Sequence, residues 1–331
     1  MDSAMSLLTQ YCASVMRSVS SLHLFCVLLF MQIGSGACSN QFDLANEKPY
    51  PSPQHFVKLV CDEAGLFWSM LNIIGALRLY EEGYYAGVKV DFGSDHRYGL
   101  YYDPARGSNW WNYYFEPIHV GNPADGPLFC TIHGDSERSY GNLTEFHTYR
   151  DQCHQIIKKY IHVKPHIKKK IKAFAARNFK VRVVVGVHYR GTDKYTEVPL
   201  AAYDRVFEKL SELIKKIERR SAKEIRIFVA TDEQPFLDYL NAAYPDKIIS
   251  YDALRSSNGQ PVHYAQDLDN YQKGEDAVID CLLLAYCQAL IKTSSNLSLC
   301  ASYFNPKIPV YHVTSRPNLK PLEGFILTDE N

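Results

Sequence analysis

The spacing of hydrophobic and polar positions divides this chain into a less regular first half and a regular second half. From Phe56 to about Glu81 apolar residues recur at helical spacing, and Val88–Phe92 then alternates like a strand. Residues 93–145 show little periodicity and are rich in glycine, proline and aromatic residues, so we expect long loops there. A basic stretch from Lys158 to Arg182 predicts a helix, and we place a domain boundary there, after residue 165.

Predicted strands and helices alternate through the second half. Val181–Val187 is an almost continuous β-branched run, as in a strand that is covered on both faces. The helix that follows has one apolar stripe and charges on its opposite face. The same patterns predict strands at Ile225–Ala230, Lys247–Tyr251, Ala289–Thr293 and Ile308–Val313, and helices at Pro235–Ala243, at Glu275–Gln288 and after Ser295. Such alternation predicts an α/β fold with a doubly wound parallel sheet.

The N-terminus carries the pattern of an export signal. The apolar run Leu22–Ile33 follows Arg17 and is followed by small residues at 34–37. This run is too short to span a membrane comfortably. We therefore expect residues 1–39 to be an export signal or membrane anchor, and the protein to enter a secretory pathway and be secreted or membrane-anchored. The pattern leaves open a lipid anchor on Cys38 and a buried core helix.

Composition narrows the class of protein. The 331 residues are 46% hydrophobic, which is enough to bury the cores of two modest domains. Basic and acidic residues balance at 36 each, whereas a nucleic-acid-binding protein would usually carry a basic excess, so we expect no nucleic-acid partner. The nine cysteines include no pair at C-x-x-C spacing, so no zinc site is expected, and disulfide pairing stays open.

Three predicted strands end in polar clusters. These are HYRGTDK at 188–194, TDE at 231–233 and TSSN at 293–296. Ligands bind outside the carboxyl ends of the strands in doubly wound sheets, so we expect the three clusters to converge on one crevice. His188 taken alone is also typical of a hydrogen-bonded core histidine.

The chemistry of these clusters fits a nucleotide diphosphate. Arg190 offers a planar fork of donors that matches phosphate oxygens. Ser294, Ser295 and the first amides of the next helix form an anion site at a helix N-terminus. The alternative for Arg190 is a salt bridge to Asp193 or Asp232.

The same residues resemble the donor-site motif of a known family. VHYRGTDK at 187–194, with Glu197 shortly after, is similar to the motif of the α-1,6-fucosyltransferases, which include core N-glycan and rhizobial nodulation-factor enzymes. The similarity continues, in the same order, through ATDE at 230–233, Asp280 within VIDCLLLAYC, and TSS at 293–295. GLF at 65–67 and NWWNYYF at 109–115 resemble the family's first domain more weakly.

This resemblance implies a GT-B-like fold, in which two Rossmann-like domains face each other and the C-terminal doubly wound parallel sheet carries the donor site. The N-terminal acceptor-side domain would span 40–165, and the GDP-fucose-binding domain would span 166–331. The implied reaction is an inverting, metal-independent transfer of fucose from GDP-fucose to a glycan hydroxyl. A nucleotide sugar and a glycan acceptor are then the partners, and no cofactor or metal is expected.

The resemblance also implies roles for individual residues. Arg190 would bind the diphosphate and stabilise its charge as the sugar departs, and Glu197 would be the general base. The implied donor-binding residues are His188 and Asp280 at the guanine and ribose, Ser294 and Ser295 at the phosphates, Gly65 where the first domain's backbone approaches them, Asp232 as the anchor of the loop, and Asp193 and Lys194 beside Arg190.

One position departs from the family pattern. The relatives usually carry two successive arginines, and the second position here is Gly191. The enzyme would then be slower, use another cation such as Lys194, or prefer a different donor. Gly191 and the Tyr- and Trp-rich residues 98–115 also motivate an alternative function, a catalytically silent carbohydrate-binding module on the same fold. Without the resemblance, Glu197 reads as an exposed loop residue and Asp280 as a charge near a helix start.

Overall fold

The computed structural model describes residues 53–60, 64–93, 99–122, 128–131 and 143–314. The predicted export signal or anchor at 1–39, with Cys38, lies outside these ranges. Within them, no helix has both the length and the apolar character needed to cross a membrane.

The first half forms a four-stranded sheet with the order β3-β2-β1-β4. Strand β1 pairs parallel with both β2 and β4, and β3 pairs antiparallel with β2. The strands are β1 Phe56–Leu59, β2 Gly87–Val90, β3 His119–Gly121 and β4 Leu128–Thr131, and the helices are α1 Leu66–Glu81 and α2 Trp111–Tyr114, with a 3-10 turn at Pro104–Arg106.

The second half forms a five-stranded sheet with the order β7-β6-β5-β8-β9, in which every pairing is parallel. Its strands are β5 Val183–Tyr189, β6 Ile225–Thr231, β7 Ile248–Ile249, β8 Ala289–Lys292 and β9 Val310–His312. The helices are α3 Leu143–Tyr160, α4 Pro165–Asn178, α5 Tyr203–Glu218, α6 Gln234–Ala243, α7 Asn270–Tyr286 and α8 Asn296–Phe304, with 3-10 turns at Thr192–Thr196 and Val262–Tyr264. This sheet confirms the predicted parallel α/β architecture.

Two predictions for the first half were wrong. Residues 56–59 form a strand instead of the first turn of a helix, because FVKL pairs with β2 on one side and β4 on the other, and α1 begins only at Leu66. Residues 93–145 are not all loops, since they include α2, β3, β4 and the start of α3. Strands of three or four residues are too short to show a period, and partners distant in the chain stabilise them.

The start of α7 lies earlier than predicted because of its cap. Asp269 precedes the first turn, and its side chain accepts a hydrogen bond from the Gln272 amide at 2.7 Å. This N-cap satisfies a backbone donor that would otherwise lack a partner inside the helix. The helix therefore begins five residues before Glu275, and its added first turn contains Lys273.

Helices from both halves of the chain pack against one another. Helices α1 and α3 both contact α8. The buried Arg150 of α3 donates hydrogen bonds to the carbonyl oxygens of Ser302, Asn305 and Ile308 at the end of α8, at 3.0–3.3 Å. One buried cluster contains side chains from both sheets, such as Val88 and Phe228. This packing brings the N-termini of α1 and α8 to the same cavity.

The predicted domain boundary falls at the start of α4, and it stays a prediction. The described residues, from 53 to 314, belong to one compact unit by their internal contacts. The cysteines whose side chains are described, namely Cys153, Cys281, Cys287 and Cys300, are all buried.

Candidate functional site

A cavity of about 430 Å³ lies at the carboxyl ends of β5 and β6. Residues 64–68 at the start of α1, together with Tyr101, line it from the first half of the chain. The middle of α7 and the first turn of α8 contribute further wall residues. The two halves of the chain therefore share one site, at the sheet edge where parallel α/β proteins bind their ligands.

Most of the site residues predicted from sequence lie at this cavity. Ser294 does not, because it lines a neighbouring cavity of about 280 Å³ that shares Arg190 and Lys194 with the first. The predicted residues that line the larger cavity are Gly65, His188, Arg190, Asp193, Lys194, Glu197, Asp232, Asp280 and Ser295.

Arg190 lies directly after β5 and is held by two carboxylates. Its Nη1 pairs with Asp232 and its Nη2 with Asp193, so both of the salt bridges considered as alternatives are present. Its backbone amide donates a hydrogen bond to Thr293 Oγ1 at 2.9 Å, which joins the ends of β5 and β8. The guanidinium is thereby fixed in orientation at the cavity wall.

Asp232 also anchors the chain that follows Arg190. Its Oδ1 accepts a hydrogen bond from the Gly191 amide at 2.9 Å, and its Oδ2 lies 2.6 Å from the Thr192 hydroxyl. A single carboxylate after β6 thus holds three consecutive residues after β5.

Sequence reasoning missed His263 and Lys273. The His263 ring lies 3.5 Å from Arg190 Nη2 and 3.5 Å from Asp193 Oδ2. Burial, with the Arg190 charge, lowers the pKa of His263 to about 4, so the ring is neutral near pH 7. Lys273 is buried and donates to the carbonyl oxygens of His263 and Ala265 at 3.3 and 2.9 Å. Both residues lie in or next to an irregular stretch whose sequence carries no periodic signal.

Two buried polar groups on the cavity wall lack hydrogen-bond partners among the described residues. These are Asp280 Oδ1 in the middle of α7 and His188 Nδ1 near the end of β5. Burial raises the pKa of Asp280 to about 8, with a smaller contribution from the nearby Asp276. Burial also lowers the pKa of His188 to about 3. Unsatisfied buried groups are unfavourable for folding, and perturbed pKa values are typical of functional sites.

Glu197 and Lys194 form an ion pair at the cavity. Lys194 Nζ lies 2.5 Å from Glu197 Oε2. The Lys194 side chain is largely covered, whereas the Glu197 side chain is 61% exposed. Glu197 is therefore accessible both from the cavity and from solvent.

Two helices begin at the cavity. Gly65 precedes α1, and the amide of Leu66, the first residue of that helix, donates a hydrogen bond to the Tyr101 hydroxyl at 3.1 Å. A Cβ at Gly65 would lie 3.7 Å from the Tyr101 hydroxyl, so packing inside the protein does not require glycine there. The Ser295 side chain caps α8 by accepting a hydrogen bond from the Leu297 amide at 3.3 Å. Both N-termini direct partial positive charge at the cavity, which favours an anionic ligand.

The described residues contain no group of three or more His, Cys, Asp or Glu side chains arranged to hold a metal ion. Five charged residues at the cavity instead pair with one another, namely Arg190 with Asp193 and Asp232, and Lys194 with Glu197.

A family model and several solved structures match the chain. The model of nodulation protein Z (NodZ) matches residues 146–317, just over half of the sequence. A crystal structure of NodZ α-1,6-fucosyltransferase with GDP matches with a TM-score of 0.50 and 16% identity, covering 78% of this chain and 94% of that one. This likeness confirms the predicted GT-B fold. No curated protein sequence matches the chain.

Two further structures show weaker overall similarity. The fucosyltransferase NodZ from Bradyrhizobium matches with a TM-score of 0.48 and 16% identity, over 78% of this chain and 95% of that one. POFUT1 in complex with GDP matches with a TM-score of 0.42 and 14% identity, over 79% of this chain and 99% of that one.

We predict that Asp280→Asn changes how stability depends on pH. In the folded protein burial raises the pKa of Asp280 to about 8, from the ordinary value of 3.8. The folded state then binds more protons than the unfolded state between these values, so the free energy of unfolding should fall as pH rises from about 4 to about 8. Asparagine does not ionise, so the free energy of unfolding of the variant should not fall in this way. At pH 8.5 the free energy of unfolding of Asp280→Asn should exceed that of the wild type by roughly 2–4 kcal/mol.

Urea unfolding at pH 5 and pH 8.5 checks this prediction. Asp151→Asn, at an exposed position on α3, is the matched control and should follow the wild type at both pH values. An identical pH dependence in the wild type and in Asp280→Asn would show that Asp280 is ionised normally.

Proposed function

The chain belongs to the nodulation protein Z (NodZ) family, and on that premise we propose that it transfers fucose from GDP-fucose to a hydroxyl group of a glycan. The observation that carries this proposal is the shared cavity, which combines a fixed guanidinium, two helix N-termini and two unsatisfied buried polar groups. We propose further that the transfer inverts the anomeric carbon and needs no metal ion.

Asp280 and His188 are suited to the guanosine end of the donor. Burial keeps Asp280 largely protonated near pH 7 before guanine binds. Its ionised form would accept hydrogen bonds from the N1–H and the 2-amino group of guanine together, so guanine binding would lower the pKa of Asp280. Adenine and uracil do not present that pair of donors, so Asp280 would select a guanine nucleotide. Binding would also satisfy Asp280 Oδ1, which lacks a partner among the described residues. His188, neutral because of burial, would hydrogen-bond the guanine or ribose.

Arg190 is suited to the diphosphate. Negative charge develops on the terminal phosphate oxygen as the bond from phosphate to fucose breaks, and a positioned cation stabilises that charge. Asp193 and Asp232 hold the guanidinium in place before the donor binds, so no reorganisation is needed during the reaction. The partial positive charges at the N-termini of α1 and α8 would further stabilise the phosphate oxygens.

Glu197 is suited to activating the acceptor. Its exposed carboxylate would take the proton from the acceptor hydroxyl as that oxygen forms a bond to C1 of fucose. Attack on the face opposite the departing GDP inverts the anomeric carbon. The electron pair of the broken bond leaves with GDP, and Lys194, bound to Glu197, holds the base at the cavity.

The second candidate function is a catalytically silent carbohydrate-binding module on the same fold, and Gly191 motivates it. A silent module would release no GDP from GDP-fucose, with or without a glycan, whereas an active transferase hydrolyses its donor slowly in water.

Export through residues 1–39, and membrane attachment there, remain proposals from the sequence alone.

We predict that Arg190→Ala abolishes turnover. Loss of a positioned cation at the leaving group should lower the rate of GDP release from GDP-fucose by about 10²–10³-fold. The rate is measured with EDTA present, so that metal independence is tested in the same assay. Arg219→Ala, at an exposed arginine after α5, is the control and should keep the wild-type rate. A wild-type rate in Arg190→Ala would remove Arg190 from the mechanism.

We predict that Glu197→Gln separates catalysis from donor binding. The amide cannot accept the proton, so the rate should fall by about 10²–10⁴-fold while the Kd for GDP stays near the wild-type value. The matched control is Glu212→Gln, because Glu212 is an exposed glutamate paired with a lysine three residues away, as Glu197 is. Unchanged turnover in Glu197→Gln would assign the base to another residue.

A further inference from the structure

The turn after β5 has no room for a side chain at Gly191. A Cβ at this position would overlap the carboxylate of Glu233. Glu233 follows β6 by two residues, and its carboxylate makes two hydrogen bonds in that space. Its Oε1 accepts from the Thr192 amide at 2.9 Å, and its Oε2 accepts from the Tyr203 hydroxyl at 2.7 Å. Glycine at 191 therefore lets a carboxylate from the neighbouring strand reach the backbone of the turn.

The backbone of this turn is strained at Thr192. Its φ angle is +40°, in the left-handed region that β-branched residues rarely adopt. Such a conformation persists where the surroundings determine it from several sides. At Thr192 the backbone amide is bound by Glu233 and the hydroxyl by Asp232. Two consecutive carboxylates after β6, those of Asp232 and Glu233, thus hold Thr192 in place.

The far end of Glu233 is fixed by an aromatic cluster. The Tyr203 ring packs edge to face against Tyr189 and Phe236, with centroid distances of 5.0 Å in both cases. Tyr189 and Phe236 stack on each other at 4.4 Å. The hydroxyl that binds Glu233 is therefore positioned by the core of the second sheet. Glu233 in turn holds the Thr192 amide, so the turn is anchored to that core.

We propose that Glu233 is a positioning residue for Arg190 and that Gly191 is its steric complement. Glu233 acts through the Thr192 amide, and so it holds the turn that presents the guanidinium to the cavity. The phosphate-binding part of this inference rests on the proposed function, whereas the steric coupling of Gly191 and Glu233 does not.

The first test compares the binding of GDP and guanosine to Glu233 variants by calorimetry. Glu233→Ala should weaken GDP binding by about tenfold, since one hydrogen bond that orients the phosphate ligand is lost, while guanosine binding stays near wild type. Glu233→Gln keeps an oxygen that accepts from the Thr192 amide, and its amide group can donate to the Tyr203 hydroxyl. Its affinity for GDP should therefore be much closer to that of the wild type than the affinity of Glu233→Ala is. Glu212→Ala is the control and should change neither affinity.

The second test is a double-mutant cycle with Gly191→Ala and Glu233→Ala, followed by thermal unfolding. Gly191→Ala should lower the Tm strongly in the wild type and much less in the Glu233→Ala background, because the overlapping carboxylate is then absent. Equal effects in both backgrounds would overturn the steric coupling. An equal loss of GDP and guanosine affinity in Glu233→Ala, or no rescue by glutamine, would overturn the positioning role. A wild type that binds neither ligand would overturn the proposed function and the phosphate-binding part, while the Tm cycle still decides the coupling.

Discussion

The ion pairs of Arg190 with Asp232 and Asp193 are the interaction on which the candidate site depends. They connect the ends of β5 and β6, and the Arg190 amide extends the connection to Thr293 after β8. Three parallel strands thus end in one hydrogen-bonded network, and the cavity lies directly beside it. A guanidinium held in this way is oriented before any ligand arrives, which is the condition for strong electrostatic stabilisation of a departing phosphate.

A buried polar group on the cavity wall and a strained residue after β5 are both unfavourable for folding. Asp280 is buried without a partner for one oxygen among the described residues, and Thr192 adopts a strained backbone angle. Folding tolerates these features because well-packed helices and β-branched strands surround them. Features of this kind are concentrated at functional sites, where a ligand or a reaction step gains from them.

The sequence predicted the second half of the fold well and the first half poorly, for physical reasons. Long β-branched strands and amphipathic helices show their period, whereas β1, β3 and β4 are too short to do so. The rule that ligands bind at the carboxyl ends of parallel strands placed Arg190 and Asp232 at the cavity. The same rule could not separate Ser294 from Ser295, because these two residues are adjacent in the chain but line different cavities. His263 and Lys273 depend on tertiary contacts of an irregular stretch, which no local pattern reveals.

Calorimetric titration of the purified protein shows whether the shared cavity is a guanine-nucleotide site. GDP, UDP and ADP are titrated separately in buffer that contains EDTA. One GDP should bind per chain, at least about tenfold more tightly than UDP or ADP, because only guanine satisfies Asp280 with two donors. Equal affinity for all three nucleotides, or no binding of any of them, would contradict this account.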